Sequence, residues 1–137
     1  MTSPLIAIVD DEESVRTSLQ RLLTACDLPS TTFESGRKFL ESLPRRVPDC
    51  LVLDLQMPEL SGLEVQRQLT ASGLRVPTII ITADDDPKTL ERCRLAGSVA
   101  YLCKPFDGEA LLTLITEIIA MGTPQRAPSG LPARTYE

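Results

Sequence analysis

Five short aliphatic runs, recurring at intervals of about 20–25 residues, constrain this chain more than any other feature. They are LIAIVD (5–10), STTF (30–33, the least apolar), DCLVLDL (49–55), PTIIITA (77–83) and SVAYLCK (98–104). Runs that are apolar throughout, without polar alternation, suit strands covered on both faces in a parallel sheet. Between them lie helical patterns. Val15, Leu19, Leu22, Leu23 and Cys26 recur at a spacing of 3–4 and make one apolar stripe over residues 13–26. Ser35 is placed to cap a short helix through Leu43, stopped by Pro44. Ser61 with Glu64 three residues on reads as a capping box, and Gly73 stands near that helix's end. Pro87 fits the first turn of a helix running to Ala96, followed by Gly97. Asp107 is placed to cap the last helix, whose stripe is Leu111, Leu114, Ile115, Ile118 and Ile119.

A strand and a helix in alternation, five times over, predict an open, doubly wound α/β sandwich with five parallel strands and five helices, because each parallel pair needs a helical crossover. A closed eight-unit barrel takes about 250 residues, and this chain has 137. The core must be aliphatic, since aromatic residues make up only 4% of the chain and there is no Trp. Residues 1–121 read as one domain. Residues 122–137, with three prolines, two glycines and no periodicity, read as a linker or disordered tail.

Composition removes several functions. A net charge of −5 argues against a surface that coats nucleic acid. The chain has no His and no CxxC pair among its four cysteines (Cys26, Cys50, Cys93, Cys103), which argues against zinc sites and His-based acid–base chemistry. The cysteines read as reduced thiols in or near the core of a cytoplasmic protein. No signal peptide is expected from MTSPLIAIVDDEE, and no apolar run approaches the roughly 18 residues that span a bilayer.

The acids carry the chemistry. In open α/β sheets, ligands bind outside the carboxyl ends of the strands. The first strand ends in Asp10-Asp11-Glu12-Glu13, the third in Asp54, and the fourth is followed by Asp84-Asp85-Asp86. If the first and third strands are neighbours, Asp10, Asp11 and Asp54 share a pocket, and three carboxylates stay ionised together only beside a cation. An all-oxygen donor set points to Mg²⁺ or Mn²⁺. The fourth strand adds Thr82 and the fifth adds Lys104. A carboxylate nucleophile, a divalent metal, an ammonium and a hydroxyl make up a set suited to phosphoryl transfer.

Asp10-Asp11, Asp54 in LDLQMP, Thr82-Ala83 and YLCKPF, in that order and each at the end of its strand, resemble the response-regulator receiver domain of two-component signalling. The resemblance covers roughly residues 4–121. The wording VAYLCKPFDGEALL is most similar to receivers of the FixJ-like transcription-regulator group. It implies a flavodoxin-like strand order 2-1-3-4-5, with Asp54 as phosphoacceptor from a sensor histidine kinase. It further implies Asp11 and Asp54 as direct Mg²⁺ ligands, Asp10 through water, and the backbone carbonyl of Gln56 as a further ligand. Lys104 would pair with Asp54 and later with the phosphoryl oxygens, and the Lys104-Pro105 bond is often cis in such domains. Thr82 and Tyr101 would be the switch pair, with Ala83 leaving room for the phosphoryl group. Met57-Pro58 and Ser61-Gly62 would shape the loop after Asp54. Asp84 and Gln56 are expected to tune the lifetime of the acyl phosphate. Glu12 and Glu13 are left to the helix macrodipole.

The resemblance implies no enzyme in the ordinary sense, only catalysis of the domain's own phosphorylation and dephosphorylation. Its readout would be the face of the fourth helix, fifth strand and fifth helix, through a homodimer or contact with an output domain or downstream protein. Lys88, Arg92 and Arg94 could meet a partner there, without direct contact to nucleic acid or membrane. The alternative to a transcriptional output is a stand-alone single-domain regulator; the Pro-rich tail favours the receiver part of a longer protein. Two other classes fit poorly. A haloacid-dehalogenase-like phosphatase needs a second Asp where Gln56 stands, and an FMN-binding module needs a Ser/Thr/Gly-rich loop where DDEES stands.

Overall fold

The computed structural model describes residues 3–121; the expected linker or tail at 122–137 lies outside them. Strands β1 (Ile6–Val9), β2 (Ser30–Phe33), β3 (Cys50–Asp54), β4 (Thr78–Thr82) and β5 (Ala100–Cys103) alternate with helices α1 (Glu13–Ala25), α2 (Gly36–Ser42), α3 (Gly62–Ala71), α4 (Pro87–Leu95) and α5 (Gly108–Met121). The strands are all parallel in the order β2-β1-β3-β4-β5. No helix among the described residues is long and apolar enough to cross a membrane.

Burial on both faces explains why the apolar runs show no alternation. Along β1, Ile6 and Ile8 join one core with Val52, Ile79, Ile81 and Leu102, covered by Leu19 and Leu23 of α1 and by Leu111, Leu114, Ile115 and Ile118 of α5. Ala7 and Val9 face the other way, into a core with Leu51, Leu53 and Ile80 that is covered by Phe39 of α2, Val65 and Leu69 of α3 and Cys93 of α4. Successive strand residues do alternate between faces, but both faces are dry. STTF is the least apolar run because β2 is an edge strand, paired only with β1 and partly exposed along its length.

The helix starts follow the expected side chains. Ser35 Oγ accepts from the Lys38 N–H, Ser61 Oγ from the Glu64 N–H, and Asp107 Oδ1 from the Glu109 N–H. Asp86, one residue before Pro87, caps α4 by accepting from the Thr89 N–H and hydroxyl. Two details differ from expectation. The Glu64 carboxylate pairs with Arg67 rather than closing the capping box. Cys26 is exposed rather than part of the α1 stripe, because the helix ends at Ala25 and the chain turns at Asp27, whose φ is 59°.

Candidate functional site

The site is a consequence of register. β1 lies beside β3 with Val9 opposite Leu53, so the next residues, Asp10 and Asp54, emerge side by side at the carboxyl end of the sheet. Both are buried, Asp10 completely and Asp54 to 3% exposure, while Asp11 is exposed at the pocket mouth. One carboxylate oxygen from each of Asp10, Asp11 and Asp54 lies within 4.8 Å of the others. Lys104, just past β5, reaches across to them. Its Nζ is 3.0 Å from Asp10 Oδ2, 3.5 Å from Glu12 Oε1 and 3.6 Å from Asp54 Oδ1. The shortest contact is thus with Asp10, where the sequence had suggested Asp54. Glu12, assigned to the macrodipole alone, is also within reach of the lysine.

One lysine does not offset so many acids. Burial, and after it the charge of Asp10, pushes the Asp54 carboxyl up to about 7 from an ordinary 3.8; Lys104 and the Gln56 N–H, 3.3 Å from Oδ1, only partly oppose this. For Lys104, burial works against the ammonium. Its hydrogen bond to Asp10 and the charges of Asp54, Asp10 and Glu12 outweigh that burial and hold its pKa above the usual value. Close hard oxygen donors with a surplus of negative charge are what a small divalent cation requires, so the donor set fits Mg²⁺ or Mn²⁺.

The remaining predicted residues are spread over β4, β5, α4, the start of α3 and the loops after β3 and β4. Thr82, fully buried at the end of β4, has a hydroxyl that donates to the Asp84 carbonyl and accepts from the Asp84 N–H, both at 3.0 Å. Tyr101 is half-buried in β5 opposite Ile80 and packs on the core shared with α2, α3 and α4. The Lys104-Pro105 peptide bond is cis. Gln56 is exposed two residues beyond Asp54, and Ala83 is exposed beside Thr82. Gly62 has a clear reason: a Cβ there would lie 2.6 Å from the Asp54 carbonyl oxygen and 2.9 Å from Leu55 Cα, so the start of α3 is pressed against the backbone of the acid itself. On α4, Lys88 and Arg92 are exposed, while Arg94 is already paired with Glu91.

Sequence reasoning missed Arg16. Its Nη1 donates to the backbone carbonyl of Asp10 at 2.7 Å. A usable signal existed: a cation in the first turns of a helix opposes the macrodipole and calls for a local partner.

The response regulator receiver domain family matches residues 6–116. The DNA-binding transcriptional regulator NtrC of Klebsiella pneumoniae is 37% identical over 91% of this chain and 27% of its own length. The response regulator protein TodT of Pseudomonas putida is 37% identical over 90% of this chain and 54% of its own. This chain therefore spans about a quarter to a half of these relatives. Among solved structures, FixJ-N is 35% identical, with a TM-score of 0.75 over 97% of this chain and 99% of its own.

Proposed function

Since this chain belongs to the response regulator receiver domain family, we propose that Asp54 is its phosphoacceptor, charged by a sensor histidine kinase. The observation that carries this reading is the packing of Asp10, Asp11 and Asp54 within 4.8 Å with a single ammonium, Lys104 Nζ, 3.6 Å from the Asp54 carboxylate. Asp10, Asp11, Asp54 and the Gln56 carbonyl would hold Mg²⁺ or Mn²⁺. Such an ion supplies charge that keeps the carboxylates ionised and neutralises the phosphoryl oxygens.

The chain's own residues do the rest. An Asp54 carboxylate oxygen attacks the phosphorus of the kinase phosphohistidine; an O–P bond forms, the P–N bond breaks, and its electron pair stays on the imidazole, which takes up a proton. Asp54 must be ionised to attack, and Lys104 favours that form. Lys104 then exchanges part of its carboxylate contact for the new phosphoryl oxygens. Thr82 leaves its two bonds with the Asp84 backbone to donate to the phosphoryl group, and Tyr101 takes up the space it vacates. Catalysis is confined to the domain's own phosphorylation and hydrolysis, with Asp84 and Gln56 governing access of water.

The output we propose is transcription, in a cytoplasmic protein: NtrC is described as a DNA-binding transcriptional regulator. The α4–β5–α5 face would carry the signal to an output domain or a second copy, with exposed Lys88 and Arg92 as its cations. Sedimentation with and without an acyl-phosphate mimic tests the second copy. The central test is acetyl phosphate with Mg²⁺ followed by intact-mass measurement. Wild type gains one phosphate and Asp54→Asn gains none; a gain that survives the substitution overturns the assignment.

A further inference from the structure

Asp10 is held at four points. Its N–H donates to the Phe33 carbonyl at 3.2 Å, its Oδ1 accepts from the Glu12 N–H at 2.8 Å, its Oδ2 from Lys104 Nζ at 3.0 Å, and its carbonyl oxygen from Arg16 Nη1 at 2.7 Å. By contrast Asp11 is exposed, and among the described residues its carboxylate has no hydrogen bond.

We propose that Arg16 is a positioning residue for Asp11: by holding the Asp10 carbonyl it fixes the direction in which Asp11 presents its carboxylate to a divalent cation. The Asp10 carbonyl and the Asp11 N–H belong to one rigid peptide plane, and Arg16 ties that plane down. The next plane carries the Glu12 N–H, which Asp10 Oδ1 holds. With the planes on both sides of Asp11 fixed, only its side-chain torsions remain free. Arg16 is half-buried at the end of the first turn of α1, and its own N–H continues the helix by donating to the Glu12 carbonyl at 3.1 Å. Its charge also acts on Glu34 past the end of β2, whose carboxyl is lowered chiefly by Lys38. The side chain thus reaches the end of β1 through the Asp10 carbonyl and stands outside the predicted ligand set.

This inference rests on the divalent-cation reading of the site, and charge alone predicts the opposite result. Removing a cation beside an acidic cluster strengthens Mg²⁺ binding, whereas losing a support of the ligand weakens it, by about 10-fold or more for outer-shell partners. The test is calorimetric titration of the 137-residue chain with Mg²⁺ alone, for wild type, Arg16→Met and Arg16→Lys, with urea unfolding in EDTA to establish that each is folded. The expected result is an Mg²⁺ Kd about 10-fold weaker in Arg16→Met, recovered toward wild type in Arg16→Lys, which keeps a donor. Unchanged or tighter Mg²⁺ binding in Arg16→Met overturns the positioning role. If Arg16→Met does not fold, Arg16→Leu, which also lacks a donor, replaces it with the same expected direction. Absence of Mg²⁺ binding by wild type overturns the cation reading itself, and with it this inference; binding by wild type that Arg16→Met matches overturns the inference alone.

Discussion

The Asp54 carboxyl carries a cost that can be measured without any phosphoryl donor. In the folded protein without metal its pKa stands at about 7, raised from 3.8 first by burial and then by Asp10. Its folded value lies above its unfolded value, so between pH 3.8 and 7 the folded state holds a proton that the unfolded state has released. Stability from this group is therefore greatest at low pH and is lost as pH rises through that window. The displacement from 3.8 to about 7 corresponds to roughly 4 kcal/mol. Asp11 leaves one side of the pocket exposed, and solvent screening from that side brings the expected cost to about 2 kcal/mol. Asp54→Asn removes the titration and leaves the other acids in place. Urea unfolding followed by circular dichroism in EDTA, from pH 4.5 to 8.5, should show Asp54→Asn gaining on wild type as pH rises, by about 2 kcal/mol between the extremes. Any constant offset from the introduced amide cancels in this slope. Adding Mg²⁺ at pH 8 should narrow the gap, because wild type gains binding energy that a site short of one carboxylate cannot match. Parallel pH profiles for the two proteins would refute the reasoning.

Three further outcomes are expected. Lys104→Met leaves the buried Asp10 and Asp54 without their nearest ammonium and should destabilise the metal-free protein by about 3–5 kcal/mol at pH 8, a loss that shrinks as pH falls through 7; urea midpoints across pH check it. Gly62→Ala brings a methyl group to 2.6 Å from the Asp54 carbonyl oxygen, a backbone atom that cannot swing aside. It should cost about 1–3 kcal/mol and slow acetyl-phosphate labelling of Asp54, seen by intact mass over time. Asp86→Ala removes the α4 cap and should cost about 1 kcal/mol while the rate of labelling stays as in wild type, since the cap is made only with Thr89.

What could be read from the sequence, and what could not, follows from the kind of partner each residue has. Strands covered on both faces announce themselves as unbroken aliphatic runs, and β2 shows faintly because an edge strand tolerates polar residues. Asp10 and Asp54 were visible because an acid that ends such a run has no role in the core, and the strand-end rule says where it points. Arg16 showed only as a cation misplaced against the helix dipole; its partner stayed hidden because a backbone carbonyl is present at every position and leaves no sequence mark. The preference of Lys104 for Asp10 over Asp54 was equally hidden. It rests on a difference of 3.0 Å against 3.6 Å, which no residue pattern records.

The same distinction explains why the acids sit where they cost stability. Most local signals (caps, the alternating cores) agree with the fold, and among the described residues the conflict of like charges is concentrated at Asp10, Asp11 and Asp54. A chain selected for stability alone would place an amide at 54 and would need no lysine at 104. Here Asp54 is buried against the repulsion of Asp10, on a strand whose backbone is clamped by Gly62 from one side and whose neighbour is held by Arg16 on the other. Such rigidity prevents the carboxylates from relaxing apart. Under the proposed function, the repulsion among them is relieved first by a cation and then by the phosphoryl group. On this reasoning, Arg16→Met should weaken Mg²⁺ binding even though the loss of its charge leaves the acidic cluster more negative.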